Sequence, residues 1–223
     1  MTTHSLAADT PLATIRANIA QSEKIAGRPT GATTLIAISK TKPVEAIEDL
    51  IAQGQKVFGE NRVQEAEAKF PELRARYPDL ELHMVGQLQS NKADDAVALF
   101  DVIHSLDRMS LAKALAAAMT KAGRQVPCFI QVNIGEEEQK GGCALPDLPQ
   151  FLEQVRALGL PVVGLMAVPP ADVEPSPYFA LLAKLARDHG LDQLSMGMSG
   201  DYETAVRIGA THVRIGSALF GAR

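Results

Sequence analysis

Residues 33–54 read TTLIAISKTKPVEAIEDLIAQG. The first part is an apolar, β-branched run without polar alternation, the pattern of a strand covered on both faces. It stops at Ser39-Lys40. Pro43 then opens a helix with Ile47, Leu50 and Ile51 on one face and Gly54 as its stop. One strand followed by one helix is the unit from which parallel sheets are built.

The unit recurs along the chain. Further strands are predicted at 56–60, 81–86, 101–106, 126–134, 161–168, 193–198 and 212–218. Helices are predicted between them, near 62–76, 90–99, 108–122, 147–157, 176–189 and 201–208. A helix after the eighth strand would be very short. Thr10-Pro11 predicts an additional helix ahead of the first strand, with Leu12, Ile15 and Ile19 on its inner face. Eight strands alternating with helices in 223 residues fit a single closed (β/α)8 barrel of the TIM type, an α/β fold with an extra N-terminal helix. A doubly wound open sheet is the alternative. One domain over 1–223 is expected, with 1–9 as a flexible tail. The Pro-rich VPPADVEPSP (168–177) falls where a strand-to-helix loop is due and need not divide domains.

Composition narrows the function. Lys and Arg number 22 against 26 Asp and Glu, which disfavours a general nucleic-acid or membrane-surface role. Aromatics are 4% with no Trp, so base-stacking platforms are scarce. Cys128 and Cys143 make no disulfide framework and are read as reduced thiols of a cytoplasmic protein. The start lacks the pattern of a signal peptide, and no apolar run reaches membrane-spanning length.

In such barrels the chemistry sits where strands end, and phosphate is often held after strands 7 and 8. Strand 7 ends in MGMSGD (196–201) and strand 8 in RIGSALFG (214–221). Both are Gly/Ser turns that open into helices, where the backbone can approach an anion closely. Ser199, Gly200, Gly216 and Ser217 are therefore candidate phosphate ligands. Closure of the barrel puts strand 8 beside strand 1, so Lys40 stands near that cradle. A lysine there is either a counter-charge or the Schiff-base partner of a phosphorylated aldehyde or ketone. A Schiff base needs the neutral amine, which an unperturbed lysine supplies in only about one molecule in two thousand at neutral pH. Desolvation and the like charge of Arg214 are expected to lower the pKa of Lys40. Lys42, two residues on, is read as solvated.

The motifs IAISKTKP (36–43), FGENRVQEA (58–66), HMVGQLQSNK (83–92), IHSLDR (103–108), VNIGEEEQKGG (132–142), GLMAVPP (164–170), LSMGMSGDYETAV (194–206) and VRIGSALFG (213–221) occur in this order. Together they resemble the pyridoxal-phosphate homeostasis protein family, whose fold is the alanine-racemase N-terminal-domain barrel, fold type III among pyridoxal 5′-phosphate (PLP) proteins. The resemblance covers residues 33–221. It implies PLP as cofactor, joined to Lys40, with its phosphate at Ser199, Gly216 and Ser217, its pyridine nitrogen against Arg214, and Asn61 nearby. Some positions depart from the commonest pattern. Gln87 stands where proline is frequent, Gly200 where an acid is frequent, and Ser217 where threonine is frequent.

A carrier and an enzyme remain distinguishable in principle. An arginine at the pyridine nitrogen weakens the ring as an electron sink. Two-base racemisation needs an acid/base on each face of the substrate carbon. In the racemases the second base comes from an added β-domain of a partner subunit, and this sequence ends at Arg223. The expectation is a non-catalytic carrier that buffers or delivers PLP, with PLP-dependent apo-enzymes as recipients, as a monomer or weak dimer. The alternatives are a weak amino-acid racemase and a Schiff-base lysine aldolase. His83, His104 and His212 show no metal-ligand spacing and are read as hydrogen-bonded structural residues, and His4 and His189 as solvated. Glu136, Glu137 and Glu138 are read as a solvated loop with a lid as the other option. Asp107-Arg108 is read as a helix start rather than an ion pair.

Overall fold

A computed structural model describes residues 10–221. The predicted tail and His4 lie outside those residues. Eight parallel strands close into a barrel in sequence order: β1 (Thr34–Ile38), β2 (Val57–Glu60), β3 (Glu81–Met84), β4 (Val102–Leu106), β5 (Cys128–Gln131), β6 (Val162–Met166), β7 (Gln193–Ser195) and β8 (His212–Ile215). The ring is sealed by β1 on β8, where Leu35 pairs with Val213 and Ile36 with Arg214. An open sheet is thereby excluded.

The connecting helices are α2 (Val44–Ala52), α3 (Val63–Arg76), α4 (Ala93–Leu99), α5 (Met109–Ala122), α6 (Leu148–Ala157), α7 (Ser176–Asp188), α8 (Tyr202–Arg207) and the four-residue α9 (Ser217–Phe220). Their apolar stripes form the main core with the outward faces of the strands, among them Ile47, Phe70, Leu115, Leu152 and Phe179. The strands are shorter than their apolar runs. Val132, Ile134 and Met196 are buried beyond the ladder ends and Val126 ahead of β5, so apolar residues also line the loops that flank the strands.

Helix α1 (Pro11–Ile25) starts as predicted, with Thr10 Oγ1 accepting from the Ala13 N–H at 3.2 Å and Pro11 in the first turn. It buries Leu12, Ile15 and Ile19 and packs on α8 and α9, where the closing helices are short. Asn18 donates to the Tyr202 hydroxyl at 2.9 Å. Buried Glu23 accepts from the Gly31 and Thr33 N–H groups at 2.9 and 2.7 Å, which fixes the entry into β1.

Candidate functional site

Lys40 lies two residues past the end of β1 and stands half-buried at the barrel mouth rather than enclosed. Its neighbours on both sides are pinned. Ser39 is fully buried, and its hydroxyl donates to Glu60 Oε1 at 2.7 Å. Lys69 Nζ reaches Glu60 at 2.6 Å, Glu65 at 2.9 Å and the Ser39 carbonyl at 3.0 Å. The Thr41 N–H donates to Glu65 Oε1 at 2.5 Å. Burial pushes the Glu60 carboxyl up, against the Lys69 and Ser39 hydrogen bonds that pull it down. Glu65 is held below the usual carboxylate range: burial raises it, but Lys69 and the Thr41 N–H prevail.

Thr41 has φ +64°, a left-handed conformation that a β-branched residue adopts at a cost of roughly 1–3 kcal/mol. The Glu65 bond holds it there. Backbone direction at Lys40 is therefore set by a charged cluster underneath it.

A cleft of about 580 Å³ opens beside this lysine. Lys40, Asn61 and Arg214 line it, as do Ser199, Gly200, Gly216 and Ser217 from the two predicted turns. All seven residues singled out from the sequence meet at this one place. Asn61 is brought in by close packing: a Cβ on Gly86 would lie 2.3 Å from the Asn61 carbonyl oxygen, so only glycine lets the end of β3 pass. The strand-7 turn depends on Gly197, at φ +94° with Ala205 2.6 Å from where its Cβ would be. Asp201 Oδ1 accepts from the Met198 N–H at 2.6 Å and closes the turn. Ser199 Oγ accepts from the Ala218 N–H at 3.4 Å, which joins the two turns. With six residues in α8 and four in α9, little macrodipole acts on this cradle. What the cradle presents to an anion is N–H and hydroxyl groups. A Cβ at Gly200 would meet nothing within 4 Å, so an acidic side chain is tolerated at that position and its absence has no steric cause.

Arg214 is 6% exposed and forms part of the cleft floor. Nη1 donates to Ser195 Oγ at 2.5 Å and Nη2 to the Ala167 carbonyl at 2.9 Å. Burial pulls its pKa down to about 10, with Asp201 acting the other way, so it stays cationic at neutral pH.

Several sequence expectations need correction. Lys42 is not freely solvated: it lines the cleft, and its Nζ donates to the Phe220 and Gly221 carbonyls at 3.3 and 3.4 Å. Arg108 does precede α5, yet it also pairs with Asp107 at 2.7 Å. In the strand-5 loop Glu136 and Glu138 are exposed, but Glu137 is half-buried and paired with Lys140 at 2.5 Å. Gln87 donates to Gln131 at 3.0 Å, and Gln131 donates to the Gly141 carbonyl at 3.1 Å, which braces that loop. Lys69, Glu60 and Glu65 went unnoticed in the sequence; the Glu65–Lys69 spacing of four on a helix was the available signal. Among the described residues no cluster of His, Cys, Asp or Glu could hold a metal ion. No helix there is long and apolar enough to cross a membrane.

Residues 11–223 match the model of the alanine racemase N-terminal domain. A pyridoxal phosphate homeostasis protein of Pseudomonas aeruginosa is 42% identical over 218 residues, 95% of this chain and 94% of the relative. The chain belongs to the pyridoxal phosphate homeostasis protein family. Another member, from Aquifex aeolicus, is 42% identical over 209 residues, 89% of this chain and 90% of that one. A solved structure of PipY from Synechococcus elongatus with PLP bound superposes with a TM-score of 0.79 at 39% identity, covering 91% of this chain and all of the other. The family resemblance drawn from the strand-end motifs is thereby shown, and so is the barrel.

Proposed function

We propose that this protein binds PLP in the cleft at the barrel mouth, as a covalent adduct of Lys40, and holds it for storage and delivery within the cell. The reading is carried by one juxtaposition: an amine, a buried guanidinium and two small-residue turns share a single cleft. That volume suits one small ligand. The cradle of Ser199, Gly200, Gly216 and Ser217 takes the phosphate. Arg214, which can only donate, would hold the pyridine nitrogen. Asn61 flanks the ring. When bound, PLP supplies an aldehyde for attack and a conjugated ring as electron sink. Lys40 would supply the amine that such an aldehyde can condense with, water being the leaving product.

A carrier is favoured over a racemase by what the cleft presents. Among the described lining residues the proton-transfer groups are Lys40, Lys42 and Arg214; carboxylate, imidazole, phenol and thiol side chains are absent. Lys42 is tied to the Phe220 and Gly221 carbonyls on the β8 side. An acid/base on the far face of a substrate carbon has no candidate there. The role extends to delivery of PLP to dependent apo-enzymes in the cytoplasm, and so to amino-acid and keto-acid balance.

Protein mixed with PLP should turn yellow, bleach with borohydride, and carry the label on the peptide containing Lys40. A label elsewhere overturns the site. Turnover assays across amino acids should show no activity that Lys40→Ala abolishes; robust, substrate-specific turnover would overturn the carrier.

A further inference from the structure

The barrel interior contains a polar line that cofactor binding as described leaves unused. Glu81 Oε1 lies 2.7 Å from His83 Nε2, and His83 Nδ1 lies 2.9 Å from His104 Nε2. His104 Nδ1 lies 2.8 Å from Ser195 Oγ, which accepts from Arg214 Nη1 at 2.5 Å. His83, His104 and Ser195 are fully buried, whereas the Glu81 side chain is 48% exposed. The line thus runs from the floor of the barrel, at the first residue of β3, to the guanidinium at the cleft.

Its two ends fix its direction. Arg214 can only donate, so Ser195 Oγ accepts from it. A hydroxyl oxygen could accept twice, but His104 Nδ1 is the other partner of Ser195 Oγ among the described residues; a satisfied O–H therefore donates to it, which leaves the His104 proton on Nε2, facing His83 Nδ1. His83 in turn has its proton on Nε2 and donates to the Glu81 carboxylate. In this arrangement four bonds point one way and each ring carries a single proton. The surroundings agree. Burial first, then His83, His212 and Arg214, hold His104 well below the ordinary histidine range. The His83 hydrogen bond depresses Glu81, against burial and with help from His212 and Arg74. Phe129 stacks on His104 at 4.3 Å and closes the remaining side. His212 shares the cavity but bonds Thr211 Oγ1 at 2.9 Å, off the line.

We propose that Ser195, His104, His83 and Glu81 are positioning residues for Arg214, a one-way hydrogen-bond line that keeps the guanidinium aimed at the cleft as a pure donor, so that the site selects pyridines whose ring nitrogen carries no proton. This extends the placement of the ring nitrogen at Arg214 proposed above and rests on it. A protonated ring nitrogen would set donor against donor beside a fixed cation.

The test has two arms. In cofactor-free protein, nitrogen-15 NMR at about pH 7 should show His83 and His104 as neutral Nε2–H tautomers. Ser195→Ala should disturb His104 and leave His212 unchanged. In PLP-loaded protein, Ser195→Ala should weaken PLP binding about tenfold and shift both the visible maximum and its pH midpoint. Glu81→Gln should shift them the same way with about a threefold loss of affinity, and His212→Asn should shift neither. The opposite tautomers, or a folded Ser195→Ala protein with wild-type spectrum and affinity, would overturn the line. Should Ser195→Ala fail to fold, Glu81→Gln decides, because its side chain is half exposed. If wild-type protein neither colours with PLP nor is labelled at Lys40, the reading of the cleft fails instead, and the tautomers in cofactor-free protein still decide whether the line exists.

Discussion

The two cations of the site stand on opposite kinds of support. Beneath Lys40 lies a charged cluster, Lys69 with Glu60 and Glu65, bound to the backbone on either side of the lysine. Beneath Arg214 lies an uncharged chain, Ser195 and two histidines, with a carboxylate only at its far end. A charged cluster resists displacement because every member has a strong partner, but losing one member strands the rest. A neutral chain is cheap to bury and directional. The first suits a residue whose backbone must be held, the second a residue whose donor character must be kept.

The contrast is broken most sharply at Lys69. Lys69→Met leaves Glu60 and Glu65 without their cation and should cost about 3–5 kcal/mol in urea unfolding. Adding Glu60→Gln to that variant should recover most of the loss. A loss below about 1 kcal/mol would show that the cluster is already neutralised.

Acid should strike the histidines of the barrel interior, on the line and beside it. Unfolded, His104 and His212 take up protons below about pH 6.5. Folded, burial keeps His104 neutral far below that and holds His212 down to about 4. The unfolded state therefore binds more protons, and stability falls as pH drops from about 6.5, by roughly 2 kcal/mol per ring at about pH 5. Denaturant midpoints measured across that range should decline, and His212→Asn should flatten the slope by about half.

Smaller effects sharpen the comparison. Thr41→Gly relieves the left-handed strain, offset by the extra freedom of unfolded glycine, and should raise stability by up to about 1 kcal/mol. The same change should weaken PLP binding if the strained turn aims Lys40; unchanged affinity would remove Thr41 from that role. The smallest signal concerns thiols. Burial raises Cys128 to about 12 and, with Asp147 and Asp107, Cys143 to about 11. Neither should react with a disulfide reagent at about pH 8 unless the barrel opens.

The barrel was legible because the apolar runs and the helix starts repeat in register with each other. The cleft was legible because a closed barrel dictates that residues at strand ends 1, 7 and 8 converge, while Asn61 at the end of strand 2 was legible only through the family resemblance. What escaped was pairing across the ring. Ser39 and Glu60 meet only through the register of β1 on β2, where Ile38 faces Gly59. His104 and Ser195 are 91 residues apart in the chain and touch inside the barrel. Lys42 was misread because its partners, the Phe220 and Gly221 carbonyls, come from the far end of the described chain. Apolar content also overstated strand length, since hydrophobic residues continue into the loops above β5 and β7.

The seam between β1 and β8 joins the beginning of the fold to its end. Lys40 and Ser217 flank this seam from opposite ends of the eight-strand ring, so the cleft they line is assembled only when the ring shuts. Such distant pairings come late and slowly during folding. A ligand spanning the seam binds the closed ring and not its precursors, and by mass action it clasps the ring shut. On the proposed site, cofactor loading would therefore report that β1 and β8 have met.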